Sequence, residues 1–189
     1  MNVLTLSRQL GSQGDWIANT VAQSLGFSYM DHQIVNRAAR RAGVPEVALA
    51  HIDELGLLGL RPSPQDHRAY ISQVESVLLE LASQGNVVIV GCGAQVVLAN
   101  HPRTVHVQVV APLDIRLGHL MKQEGIGEEA AMERLLASDR KRANYLKTNY
   151  GIDWLNQELY DLVINTKRIA PEAAVSCIFQ LLQGDAPRK

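Results

Sequence analysis

The feature that narrows the fold most lies in the first 25 residues. Asn2 to Leu6 (NVLTL) is a short, partly β-branched apolar run that reads as a buried strand. It is followed at once by Ser7-Arg8-Gln9-Leu10-Gly11-Ser12-Gln13-Gly14, a loop with two glycines. From Asp15 onward, Ile17, Ala18, Val21, Ala22 and Leu25 recur at three- and four-residue intervals, which predicts a helix that stops at Gly26. In such a strand, loop and helix, successive backbone N–H groups and the positive end of the helix dipole can cradle phosphate oxygens. The same residues also read as a tight turn with an Asp placed favourably at a helix start.

The rest of the chain repeats the alternation. FSYM, ending at Asp31, leads into a helical stretch to Arg41; Val44 to Leu60 is ambiguous and is closed by RPSP at Arg61 to Pro64. A helix is expected over Gln65 to Ser83, then the strand VVIVG, a short helix to Asn100 and the strand TVHVQVV. A helix opens at Pro112 and ends at Gly125 and Gly127, a long one runs from Glu128 to about Lys147, and LYDLVINT precedes a last helix near Pro171. Strands alternating with helices imply a parallel sheet covered on both faces, and 189 residues fit one domain. Ligands of such sheets bind beyond the carboxyl ends of the strands, here the loops after Leu6, Met30, Val90, Val110 and Asn165.

Charge and composition remove several functions. With 18 Lys+Arg against 19 Asp+Glu the net charge is −1, which argues against bulk attraction to nucleic acid or to a membrane surface. No apolar run is long enough to span a bilayer, and the first residues lack a secretory pattern, so a cytoplasmic location is expected. Two cysteines without C-x-x-C spacing, and six histidines without a helical pair, give no metal set. Positive charge is nevertheless concentrated in RLLASDRKRANYLK, where Arg134, Arg140, Lys141, Arg142 and Lys147 face only Asp139. Arginine forks suit a transferring phosphoryl group, although a solvated helix face reads from the same run.

The motifs LTLSRQLGSQGDWIANTVAQSLGFSYMD, NVVIVGCGAQVVLANHP, VHVQVVAP and DRKRANYLKTNYGIDW, followed by LYDLVINT, resemble in the same order those of the cytidylate kinase-like family, over nearly the whole chain. The resemblance implies a P-loop nucleoside kinase-like three-layer α/β/α fold with a mainly parallel five-stranded sheet. It also implies one domain over residues 1–189, a nucleotide-binding insert at about 31–65 and a lid at about 122–150. The activity implied is ATP-dependent phosphoryl transfer, with Mg²⁺, to a nucleoside monophosphate such as CMP, dCMP or UMP. The partners implied are thus a nucleotide and a small phosphate acceptor.

Carried over by position, the resemblance places Gly11, Ser12, Gln13 and Gly14 on the phosphate loop, where the family has Gly-Ser-Gly-Gly, with Arg8 beside them. It places Asp31, Arg37, Gly91, Cys92 and Gln95 on the monophosphate side, with Cys92 standing where the family has an arginine. Arg140 and Arg142, with Arg134 as a third, match the lid arginines. One conflict remains. Laid over G-x-x-x-x-G-K-[ST], the chain has Arg8 and Gln13 at the glycines, Gly14 at the lysine and Asp15 at the hydroxyl. Arg8 or a lid arginine would have to supply the cation. Two other readings stay open: a nucleotide sensor that keeps the fold without turnover, and a kinase for a different small metabolite.

Overall fold

Val3–Arg8 forms β1, and all six of its residues are buried. In the computed structural model, which describes residues 2–43 and 63–184, this strand lies at the centre of a five-stranded sheet. The other strands are β2 (Ser28–Met30), β3 (Val87–Val90), β4 (Thr104–Val110) and β5 (Leu162–Asn165), in the order β2-β3-β1-β4-β5. Every pairing is parallel; Leu4, for example, stands beside Val88 of β3 and Val105 of β4. Parallel strands require crossovers, and helices supply them on both faces. These are α1 (Gly14–Leu25), α2 (His32–Ala42), α3 (Pro64–Gln84), α4 (Ala94–Val97), α5 (Leu113–Glu124), α6 (Glu128–Tyr150) and α7 (Pro171–Gln183).

Alternation along the strands divides the core into two layers. Val3, Val87 and Ile89 pack with Ile34, Tyr70, Val77 and Leu78 of α2 and α3 on one face. Leu4, Leu6, Val88, Val90 and Val107 pack with Ile17, Val21 and Ile178 of α1 and α7 on the other. The expected three-layer α/β/α fold is the observed one. His106 fills an interior position on β4, where its Nδ1 meets the Thr5 hydroxyl at 2.7 Å.

Two boundaries move in ways that matter. Ser7 and Arg8, read from the sequence as loop, belong to β1, because β4 is long enough to pair with them through Gln108 and Val109. The long helix reaches Tyr150, where Gly151 closes it in a left-handed conformation. Residues 44–62, with the LGLLGL run and most of the expected insert, lie outside the described residues.

α6 rests on two supports. Its first half buries Ala131 and Leu135 against Leu120 of α5. Its second half buries Tyr145 and Leu146 with Trp154, against Ile71 and Val96. The aromatic residues and the GIDW element therefore close the helix onto the body. Burying a leucine contributes about 1.5–3 kcal/mol, more than the exposed Arg134–Glu124 pair across the α5–α6 turn, which is worth about 1 kcal/mol at most.

Candidate functional site

The loop between β1 and α1 is folded so that each of its carbonyls from Gln9 to Gln13 is held by a donor. Gln9 O accepts from the Ser12 amide and hydroxyl at 3.1 and 2.7 Å. Leu10 O accepts from Arg116 Nη1 at 3.4 Å, Gly11 O from His119 Nδ1 at 2.9 Å, Ser12 O from the Thr166 hydroxyl at 3.0 Å, and Gln13 O from Ile17 N. A carbonyl can only accept, so the proton of His119 resides on Nδ1. The amides of Gly11, Gln13 and Gly14 take part in none of these bonds. Left-handed backbone at Gly11 (φ +78°) and Gln13 (φ +64°) turns them toward the start of α1, where the first N–H groups of a helix have no intrahelical acceptor. Such a nest of donors is an anion-binding concavity.

Two residues at the base of the loop share one space. The Cβ that a side chain at Gly14 would require falls 2.4 Å from Arg8 Cβ and 2.9 Å from its Cγ. Arg8 is buried at the end of β1 and donates from Nε to Asp15 Oδ1 at 2.8 Å, while Asp15 itself stays more than half exposed. The phenol of Tyr29, at the end of β2, is pushed up to about 12 by its burial and then by the carboxylates of Asp15 and Asp31, with Arg8 opposing. Tyr29 is therefore a neutral hydroxyl, beside a strand end that gathers two acids and a guanidinium.

A cavity of about 570 Å³ opens over the loop, large enough for a nucleotide-sized ligand. Gly11, Gln13 and Gly14 form one wall with Asp15 and the exposed Trp16; His119, Lys122 and Gln123 of α5 form the other. Among the described residues no group of three His, Cys, Asp or Glu side chains could hold a metal.

The expected lid arginines are placed unequally. Arg140 is exposed near the middle of α6. Arg142 is half-buried and donates to the Ser138 hydroxyl. Arg134 is bound to Glu124 at the turn between α5 and α6. Asp139, next to Arg140, is gripped by Arg116.

Of the residues expected on the monophosphate side, Asp31 is the residue just before α2, at the carboxyl end of β2. Arg37 is not brought to it: with Arg41 it clamps Glu80 of α3. Gly91, Cys92 and Gly93 follow β3 in succession with positive φ, and the buried Cys92 lines the apolar core on the α3 side. Gln95 is buried and donates to the Tyr160 hydroxyl at 3.2 Å, which in turn donates to Trp154 O. Arg116, His119, Thr166 and Tyr29 were not singled out in the sequence. The signal was positional, since Thr166 follows Asn165 directly and Arg116 lies in the first turn after the β4 loop, at strand ends already marked as ligand-binding.

Residues 3–168 match the model of the cytidylate kinase-like family. The chain is 30% identical over 183 residues to a cytidylate kinase of Ignicoccus hospitalis, covering 96% of this chain and 99% of that one. It is 27% identical over 178 residues to a cytidylate kinase of Pyrococcus horikoshii, covering 93% and 85%. Among solved structures, an uncharacterized protein from Eubacterium ventriosum superposes with a TM-score of 0.78 at 16% identity, over 97% of this chain and 99% of that one. A shikimate kinase from Acinetobacter baumannii superposes at 0.53 and 15% identity, over 100% and 96%, and at such identities the likeness is one of fold. With its parallel sheet, its amide-lined loop and a family match over 166 of its 189 residues, this chain belongs to the cytidylate kinase-like family.

Proposed function

We propose that this chain transfers the γ-phosphoryl group of ATP to a small acceptor, a pyrimidine nucleoside monophosphate, as a kinase of cytidylate type. The observation that carries the reading is the loop from Gln9 to Gln13, whose carbonyls are all tied back while the amides of Gly11, Gln13 and Gly14 are left to a ligand. The names of the relatives support the acceptor class.

In this reading the loop amides hold the polyphosphate, and Arg140 and Arg142 meet the transferring group from the α6 side. Residues 122–150 serve as the lid, excluding water when closed. Phosphoryl transfer is mostly positioning and charge stabilisation, so fixed amides and guanidinium groups are the main catalytic parts. A Mg²⁺ ion arriving with the nucleotide would supply positive charge to its phosphates. Such an ion keeps several waters and needs only one or two protein carboxylates, and the half-exposed Asp15 beside the loop is suited to that place. Asp31 and Tyr29 mark the acceptor side of the cleft.

One observation favours a second reading. A glycine in the lysine position and an Asp in the hydroxyl position leave the loop less positive than an ordinary phosphate loop, which suits a nucleotide sensor. A coupled assay with ATP, Mg²⁺ and CMP, dCMP or UMP, run beside thermal shifts with the same nucleotides, decides between them. Turnover establishes the kinase; stabilisation by nucleotide without turnover of any acceptor establishes the sensor.

A further inference from the structure

The cavity over the β1–α1 loop holds little net positive charge. Of the residues that line it, Lys122 is basic while Asp15 and Glu124 are acidic, and Glu124 is bound to Arg134. Loop amides can receive phosphate oxygens there, but charge adds little attraction for a polyphosphate. The cavity offers a large apolar surface as well. Trp16 is 46% exposed and stands in the same wall as Gly11, Gln13 and Gly14, whereas the other tryptophan, Trp154, is 3% exposed.

The geometry of α1 accounts for that exposure. A helix turns by about 100° per residue, so Trp16 stands about 200° round the axis from Gly14. Position 14 faces the sheet, where a Cβ would fall 2.4 Å from Arg8 Cβ and 3.3 Å from Val109 Cβ, and Trp16 is thereby turned away from it. Leu136 and Leu155 are as exposed as Trp16, and isolated apolar side chains of that kind need no ligand to explain them. Trp16 differs in lining the cavity, one residue beyond Asp15 and beside the loop amides, and in carrying a flat aromatic face.

We propose that Trp16 is the platform on which the base of the donor nucleotide stacks while its phosphates lie on the loop amides. The inference rests on the nucleotide reading above and names the surface that takes the base. It assigns the donor to the purine nucleoside triphosphates, whose fused rings cover more of an indole than a single pyrimidine ring does.

The opposite wall suits a base as well. His119, Lys122 and Gln123 recur at i, i+3 and i+4 on α5 and so share one face of that helix. The His119 ring is fixed by its 2.9 Å bond to the Gly11 carbonyl. A base between the two walls meets an indole on one side and polar groups on the other, among them the Gln123 amide, which can both donate and accept. With so little net charge in the cavity, stacking supplies a large share of the affinity for ATP.

Inorganic tripolyphosphate carries the phosphates without a base, so its comparison with ATP isolates the stacking. The test uses the full chain, calorimetric titration with ATP, GTP, CTP and tripolyphosphate, acrylamide quenching of tryptophan fluorescence, and Tm for every variant. In the native chain ATP and GTP should bind more tightly than CTP, and ATP should shield Trp16 from acrylamide while tripolyphosphate does not. Trp16→Ala should weaken ATP by about 10- to 100-fold and tripolyphosphate by less than about twofold, with Tm within a few degrees of native. Trp16→Tyr should recover part of the ATP affinity, and Trp16→Leu, apolar without a π face, should recover less. In Trp16→Tyr the shielding by ATP should vanish, since only the buried Trp154 is left to report. The proposal is overturned by a Trp16→Ala chain that binds ATP as the native one does, by equal losses of ATP and tripolyphosphate, which would assign Trp16 to shaping the loop, or by Trp16→Leu restoring ATP binding as fully as Trp16→Tyr. A native chain that binds neither ATP nor tripolyphosphate overturns the nucleotide reading and this inference with it. Native binding of ATP that ignores Trp16 overturns this inference alone.

Discussion

Arg116 of α5 holds both carboxylate oxygens of Asp139 on α6, Nη1 to Oδ1 at 3.1 Å and Nη2 to Oδ2 at 2.8 Å. The same Nη1 reaches the Leu10 carbonyl, and the backbone of Arg116 lies against Gly11, where a Cβ would meet the Arg116 carbonyl at 2.6 Å. One side chain therefore joins the β1–α1 loop to the helix that carries Arg140 and Arg142. Asp139→Asn would leave a guanidinium that is 5% exposed without its counter-charge. Breaking a buried pair on one side costs about 3–5 kcal/mol, or roughly 10 °C in Tm for a chain of this size. The variant should also lose nucleotide-induced stabilisation, since loop and helix are no longer held in register. Thermal melts with and without ATP check both, and an unchanged ATP shift would show that the pair serves folding alone.

The helix and strand periodicities in the sequence were enough to locate the described elements, because apolar spacing and glycine stops are local signals. The loop after β1 was legible for the same reason. What escaped was contact between distant segments. Nothing near position 8 shows that β4 extends the strand through Arg8, or that position 14 has no room for a side chain. Likewise the resemblance places Asp31 and Arg37 on one side of the cleft, but Glu80, more than 40 residues away, takes the arginine. Arg116 and His119 act through loop carbonyls, a role that leaves no pattern in sequence.

Gln13 occupies a left-handed conformation, φ +64° and ψ +14°, at a position where the resemblance implies glycine. A residue with a Cβ pays roughly 1–2 kcal/mol there, partly offset by the extra freedom glycine has when unfolded. Gln13→Gly is expected to raise Tm by a few degrees and to leave tripolyphosphate affinity within about twofold, since the amide is retained. A lower Tm would mean that the glutamine side chain stabilises the loop by more than its backbone strain.

Cys92, with φ +57°, is packed among apolar residues at the end of β3, beside Gly93, whose own Cβ would meet the Tyr150 ring at 2.8 Å. Cys92→Arg, which introduces the arginine that the resemblance implies, has to place a guanidinium in this packed space. Overpacking of this kind costs about 1–3 kcal/mol, so Tm should fall by several degrees. CMP affinity rising together with an undiminished Tm would show instead that the side chain at 92 turns into the cleft.

Arg140 and Arg134 lie on the same helix and separate two roles. Arg134 is bound to Glu124 on the surface, and Arg134→Ala should change stability by no more than about 1 kcal/mol and leave turnover near native. Arg140 is exposed on the stretch next to Asp139, and Arg140→Ala should lower kcat far more than it weakens ATP binding if the guanidinium acts on the transferring group. Single-turnover rates and ATP titrations of the two variants measure this directly. Equal losses of kcat and affinity for Arg140→Ala would assign it to ground-state binding.

Glu80 ties α3 to α2 by accepting from both Arg37 and Arg41. The hydrogen bond from Arg41 is the main reason that its carboxyl titrates below the ordinary value of 4.5, with the charges of both arginines adding to it. A carboxylate whose pKa is lower folded than unfolded contributes stability that is fully present above the unfolded value and is lost as pH falls through the folded one. Native protein and Glu80→Gln should therefore differ in Tm at neutral pH and converge in acid, below 4.5. The pair is exposed to solvent, so added salt should shrink the neutral-pH difference as well. Melts of both proteins across this range, at low and high salt, test the point; a Tm gap that persists unchanged below the carboxylate range would assign the contribution of Glu80 to packing and not to charge.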